Sequence, residues 1–240
     1  MEEQEGVEKL HFELASESRL GILRELQFNK LKMQEVARRV DLTATEAVRQ
    51  LKRLGDAHLV VRQPEGSYTV TQYGRLVLQL SSSQDFAFAH RKYFLTHDVW
   101  RIPRQFVDRL GELSQTNLRA DTMESISATE RMIGEAKEYV WGIGEGRFTE
   151  TMGKTGAEQT SRGVEYRVLT PLPPARLRAL ESRTLSDIPA LVALTEKEAV
   201  ACFRLSDGRM DYAGFFGKDP VFLSWVKDLF LYYWDKGKRS

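Results

Sequence analysis

The sequence predicts an α+β chain: three helices closed by a hairpin, then a long connecting helix, then a C-terminal part in which helix and strand alternate. Three observations predict it. Between residues 16 and 57 apolar side chains recur at helical spacing, in three runs separated by capping and turn residues. Two runs of strand-forming residues then flank the tip Gln63-Pro64-Glu65-Gly66-Ser67. Beyond residue 121, short apolar runs of strand length alternate with polar helical stretches.

Ser16 is placed to cap a first helix with Leu20, Leu23 and Leu26 on one face. Leu31, Val36, Ala37 and Val40 continue at helical spacing after a break near Asn29. Asp41-Leu42-Thr43 interrupts, and Thr43 can cap a third helix whose inner face is Ala47, Leu51 and Leu54. His58 to Arg62 and Tyr68 to Val70 then pair as a hairpin. This order is that of a winged helix-turn-helix. A third helix held by its inner face presents the other face to a DNA major groove, which selects Thr43, Ala44, Thr45, Val48, Arg49 and Lys52. Arg53, Arg62 and Ser67, with the backbone amides of the wing, are placed to hold phosphates.

From Thr71 to Thr96 there is no proline, and Tyr73, Val77, Leu80, Ala87 and Phe94 recur near a seven-residue spacing. The stretch reads as one long helix, serving either its own domain or a dimer seam. His97 to Pro103 ends it, and a short amphipathic stretch, Phe106 to Leu113, follows. After Asp121 the expected order is a helix (Thr122 to Lys137), a strand (Tyr139 to Ile143), a helix (Phe148 to Arg162) and a strand (Val164 to Leu169). Pro171-Leu172-Pro173-Pro174 breaks the chain before Ala175 to Leu180. Strands over Ala190 to Thr195 and Ala199 to Leu205 precede a turn at Asp207-Gly208 and a strand over Tyr212 to Phe216. A closing helix begins at Asp219-Pro220 and aligns Phe222, Trp225, Val226, Leu229, Phe230 and Tyr233. The expected domains are residues 1–80 (winged helix), 81–120 (connecting or dimerising helices) and 121–240 (an α/β effector domain).

With 240 residues and 42% hydrophobic content, the chain can build one or two cores. It has no 18-residue apolar run and opens Met-Glu-Glu-Gln-Glu, so a cytoplasmic protein without membrane contact is expected. The single cysteine, Cys202, excludes an internal disulfide and reads as a buried strand thiol. Net charge is +1, yet residues 18–97 carry 13 Lys/Arg against 7 Asp/Glu, while residues 98–240 carry 21 of each. A basic surplus confined to the winged-helix part is what counterion release from double-stranded DNA requires.

The N-terminal stretches Leu42-Thr43-Ala44-Thr45, Leu51-Lys52-Arg53-Leu54 and Ala57-His58-Leu59-Val60 resemble ArsR-type winged-helix regulators. The rest resembles the middle and C-terminal domain of archaeal methanogenesis- and filamentation-regulator proteins, and its layout is similar to the effector domain of TrmB regulators. That resemblance rests on Tyr93-Phe94-Leu95-Thr96-His97-Asp98, Ile102-Pro103, Ala136 to Gly142, Arg162 to Arg167, Asp211 to Phe215 and Trp225 to Trp234. It implies an archaeal transcription regulator, a homodimer, with a phospholipase-D-like but non-catalytic C-terminal domain that receives a signal. The reading helix departs from the family pattern at Glu46, Val48 and Gln50, and His58 stands where glycine is usual. Glu46 beside phosphates is unfavourable unless it reads a cytosine amino group or pairs with Arg49. A protein-interaction adaptor that keeps the winged helix as a docking module is the alternative.

The four histidines, His11, His58, His90 and His97, all lie in the first 97 residues. The α/β part therefore lacks the His-Lys-Asp set of a working phospholipase D and any Ser-His-Asp or Cys-His pair. No nucleophile elbow, phosphate-binding loop or Cys/His metal cluster is written in the chain, so no cofactor, no metal and no enzyme activity are expected. Gly142-Ile143-Gly144-Glu145-Gly146 is either a tight strand-to-helix turn or an anion nest. Trp141, Gly144, Arg167 and Arg183 are the candidate site for a small-molecule or anionic effector, with core packing and surface ion pairing as the plainer alternatives.

Overall fold

The computed structural model describes residues 6–171 and 181–239, so the expected break at 171–174, beyond its first residue, and the stretch 175–180 lie outside the described residues. The chain divides into two compact units, Met1–Ser81 and Ser82–Ser240.

In the first unit, helices α1 (Val7–Leu14), α2 (Glu17–Phe28), α3 (Met33–Arg39) and α4 (Ala44–Asp56) precede the start of α5 (Gln72–Ala89). Strands β1 (Leu31–Lys32), β2 (Val60–Arg62) and β3 (Ser67–Val70) form an antiparallel sheet in the order β1-β3-β2. Ser16 caps α2, its hydroxyl accepting from the Arg19 amide at 3.5 Å. The apolar residues spaced for helices do meet: Ile22, Leu23, Leu26, Val36, Leu51 and Leu54 form one core with Leu59, Val60 and Val70 of the hairpin. Two tight bends have positive φ, Asp41 (51°) and His58 (58°). Helix α1 is not legible in the sequence; it has eight residues, no side-chain N-cap and no fully buried residue.

Helix α5 does not run on to Thr96. His90 leaves the helical region (φ −107°, ψ 24°) and a separate turn, α6 (Arg91–Phe94), follows. The cause is packing. Tyr93 is buried, its ring 5.0 Å from that of Phe215, and Phe94 stacks on the same ring at 6.0 Å. The near-heptad set is therefore no single face: Val77 is buried while Leu80 is 68% exposed.

Residues 82–120, expected as a connector, lie in the second unit and feed its core through Phe86, Val99, Ile102, Phe106 and Leu113. Here α7 (Arg104–Val107), α8 (Thr122–Glu135), α9 (Arg147–Ser161) and α10 (Pro220–Trp234) surround one mixed sheet. Its strands are β4 (His97–Asp98), β5 (Asn117–Arg119), β6 (Tyr139–Ile143), β7 (Glu165–Thr170), β8 (Glu181–Thr184), β9 (Ala190–Thr195), β10 (Ala199–Leu205), β11 (Gly214–Gly217) and β12 (Lys238–Arg239). The order is β12-β8-β7-β6-β9-β10-β11-β5, with β4 beside β10; β6-β7 and β7-β8 are parallel, and β6-β9 and β9-β10 antiparallel. The parallel pairs require crossovers, and α9 supplies the one between β6 and β7.

Side chains alternate across the sheet. Trp141, Ile143, Leu169, Val192 and Phe203 face the cluster that holds Trp225 and Phe230 of α10. Val140, Val168, Ala193 and Cys202 face the other cluster, with Ile133 of α8 and Phe148 and Met152 of α9. Both faces are covered, which explains why β9 and β10 read as nearly continuous apolar runs, over 190–194 and 199–203. The expected α+β order, winged helix first and α/β sheet second, is the one the chain adopts.

Candidate nucleic-acid interface

Thr43 starts α4 in extended conformation, and its hydroxyl accepts the Glu46 amide at 3.2 Å. The Glu46 carboxylate reaches back to the Thr43 amide (3.0 Å) and hydroxyl (2.7 Å). This is a complete capping box, and the hydrogen bond from the Thr43 hydroxyl is the main cause holding the Glu46 carboxyl below its usual range. Glu46 is thus explained locally. The acidic residue that looked out of place beside phosphates closes the helix start, and Thr-x-x-Glu was the signal for it in the sequence. The Thr43 hydroxyl is correspondingly committed to the cap.

With Ala47, Leu51 and Leu54 buried, the opposite face of α4 presents Ala44, Thr45, Val48, Arg49 and Lys52, all exposed. Thr45, Val48, Arg49 and Lys52 are spaced i, i+3, i+4 and i+7 and form a single stripe. Arg62 is exposed on the edge strand of the wing. Gly66 at the tip has φ +88°, which only glycine adopts without strain.

Two expected phosphate ligands are differently engaged. Arg53 is bound to Glu13 of α1, through Nη2 at 2.6 Å and Nε at 3.3 Å. Ser67 is buried, and its hydroxyl donates to Glu65 at 2.9 Å. Sequence spacing could not reveal either, because both partners are set by tertiary packing or by a turn. The residue that the sequence reading missed is Arg19. It is 6% exposed and donates to the carbonyls of Glu13 (2.9 Å) and Phe12 (2.7 Å) and to Gln50 of α4 (3.1 Å).

In the second unit, the four candidate effector residues do not converge. Trp141, Arg167 and Arg183 share the α10 side of the sheet: Arg167 lies over Trp141 at 4.8 Å and Arg183 over Trp234 at 4.4 Å. Gly144 lies three residues beyond Trp141, an odd offset, and so faces α9, where a Cβ would collide with the Phe148 ring. Its amide donates to the Leu169 carbonyl at 3.0 Å and so is not offered to an anion. The Arg167 guanidinium sits between Glu165 (2.8 Å) and Glu181 (3.3 Å), and Arg183 donates to the Trp234 carbonyl at 2.7 Å. Trp141, Trp225 and Trp234 are all buried as core. Cys202 is fully enclosed, and burial pushes its thiol up. Among the described residues no group of His, Cys, Asp and Glu side chains is placed to hold a metal ion. Among them, too, no helix is long and apolar enough to cross a membrane.

Residues 7–86 match the family model of the HVO_A0261 N-terminal domain. That stretch spans α1 to most of α5 and contains the whole candidate interface. No curated protein matches the chain. Among solved structures, the chain is similar to TrmBL2, described as an archaeal chromatin protein with a novel mode of DNA binding (18% identity, 98% of this chain and 97% of that one, TM-score 0.45). It is also similar to Nuc, a phospholipase D family member from Salmonella typhimurium (13% identity, 52% and 96%, TM-score 0.38). A third likeness is to the dimethyltransferase RosA from Streptomyces davawensis (15% identity, 74% and 63%, TM-score 0.28). These scores are too low for any of the three to speak for this chain.

Proposed function

We propose that the chain is a DNA-binding transcription regulator of the archaeal TrmB-like kind, working in the cytoplasm as a homodimer. Its ArsR-type winged helix reads duplex DNA, and its α/β unit receives a signal without turnover. One observation carries the reading: α4 is buried along Ala47, Leu51 and Leu54 and exposes Thr45, Val48, Arg49 and Lys52 as a single outward stripe, with Arg62 exposed on the wing. Arg49 is the base-reading candidate, since a guanidinium pairs bidentately with guanine in the major groove. Lys52 and Arg62 supply phosphate contacts. Exposed Tyr73, Leu76 and Leu80 in the first unit, and Phe88 and Leu95 in the second, are the apolar side chains offered for pairing of two copies. For the effector, Trp141, Arg167 and Arg183 remain the candidate group, without Gly144.

Val48, 52% exposed in the middle of the reading stripe, favours a second reading, a docking module for another protein. Titrating a fluorescent duplex at several salt concentrations separates the two. DNA binding through phosphates makes log affinity fall linearly with log salt, whereas a protein-docking module binds the duplex weakly and without that slope. A thermal-shift screen of metabolites, repeated with Arg167→Ala, tests the effector group.

A further inference from the structure

We infer that α1 masks a phosphate contact on the flank of the reading helix, with the Glu13 side chain as the mask and Arg53 as the masked group. The inference rests on the DNA-reading role proposed for α4. Arg53 follows Lys52 directly and lies one helical turn from Arg49, so it borders the outward stripe on the side where α1 packs. Its charge is nonetheless spent within the molecule. The Glu13 carboxylate, largely buried, takes Arg53 on one oxygen at 2.6 Å and Arg19 on the other at 2.7 Å. Phe12 lies beneath both cations, 5.0 Å from the Arg53 guanidinium carbon and 5.5 Å from that of Arg19.

The two arginines differ in what else holds them. Arg19 has the carbonyls of Phe12 and Glu13, both in α1, and Gln50 in addition to the Glu13 carboxylate, and stays satisfied if that side chain alone swings away. The Arg53 side chain is 40% exposed, and its ion pair is with Glu13, so it turns to solvent or to a phosphate once the carboxylate is withdrawn.

α1 is held chiefly toward its C-terminal end, by Arg19 on its carbonyls and by Leu10 and Leu14 against the core. Eight residues are too few to sustain a helix in isolation, and α1 has neither a side-chain cap nor a fully buried residue. One side of it borders an open groove of about 1050 Å³, walled opposite by Arg53, His58 and Tyr73. While Glu13 holds Arg53, a bound duplex gains no phosphate contact from it. Withdrawing the Glu13 carboxylate thus adds one cation to the DNA-facing flank of α4.

The experiment is a double-mutant cycle on the full chain, with duplex affinity measured between 50 and 200 mM salt. Arg53→Gln in the otherwise native chain is expected to leave both affinity and salt slope unchanged, because the masked group contacts no phosphate. Glu13→Gln is expected to steepen the log–log slope by about 0.9, one added phosphate, an extra loss of roughly 3-fold across that range. Adding Arg53→Gln to Glu13→Gln should return the native slope. A native-background Arg53→Gln whose slope drops by about 0.9 overturns the mask, as does a folded Glu13→Gln with the native slope. If Glu13→Gln fails to fold by circular dichroism, the Arg53→Gln arm decides alone. A native chain with no salt-dependent duplex binding instead removes the DNA-reading role, and the mask with it.

Discussion

Thr43 and Glu46 hold one another through three hydrogen bonds, each closing an otherwise open group at the start of α4. The pair fixes where the reading helix begins and so which residues its outer stripe contains. Replacing Glu46 with Ala removes the acceptor of the Thr43 amide. The expected cost is about 0.5–2 kcal/mol in urea unfolding of the first unit. A loss confined to DNA affinity, with stability unchanged, would place Glu46 in the groove instead.

Arg49→Ala is expected to cost about 1–3 kcal/mol on the preferred duplex and to relax discrimination at one base pair. Lys52→Ala should weaken all sequences alike and lower the salt slope by about 0.9. Competition binding against single-base variants distinguishes the two patterns. Equal behaviour of both substitutions would leave α4 without a base contact at Arg49.

His58 tests backbone strain. At φ +58° a β-branched residue is costly, whereas glycine is at ease there but loses more freedom on folding. His58→Val is therefore expected to destabilise by about 1–2 kcal/mol, and His58→Gly to change stability by less than about 1 kcal/mol. Denaturant midpoints of the two variants check the ordering.

Replacing Leu80 and Phe88 together with Lys is expected to give monomers that remain folded, because both side chains are exposed (68% and 70%). Phe94 is unsuitable for this test despite its place in the heptad count. It packs among Phe86, Phe203 and Phe215, and a lysine there would disturb the core. Sedimentation equilibrium at tens of micromolar decides; a native chain that is already monomeric ends the proposal of pairing through these residues.

His90 supplies a pH dependence. Burial against Phe86 and Phe215 holds its imidazole below the usual range, so the unfolded chain takes up a proton at higher pH than the folded one. Its contribution to stability is thus complete above the unfolded value of about 6.5 and is lost as pH falls from there toward the lower folded value. His90→Phe is expected to flatten that part of the stability profile between pH 5 and 7. An unchanged difference between the two proteins across this range would show that His90 does not titrate with folding.

How much could be read beforehand follows from the range of the interactions involved. The inner face of α4, its start at Thr43, the hairpin and β6, β9 and β10 were legible because burial writes its period into neighbouring residues. Helix α1 was not, since its Val7 and Phe12 stay exposed and it is held through Glu13 by residues up to forty positions away. The break at His90 depends on Phe215, far along the chain. Gly144 and Trp141 stand at an odd offset, and the alternation of a strand sends them to opposite faces.

Apart from β4, the outermost strands of the large sheet are its shortest. β12 contributes Lys238 and Arg239 at one border, and β5 contributes Asn117, Leu118 and Arg119 at the other. Brief borders carrying cations give an incoming strand few hydrogen-bonding positions and repel a second copy of the same edge. The unit is therefore guarded against growing into fibrils by strand addition. Stretches as apolar as β9 and β10 can lie at its centre without becoming seeds for aggregation while the fold stays closed.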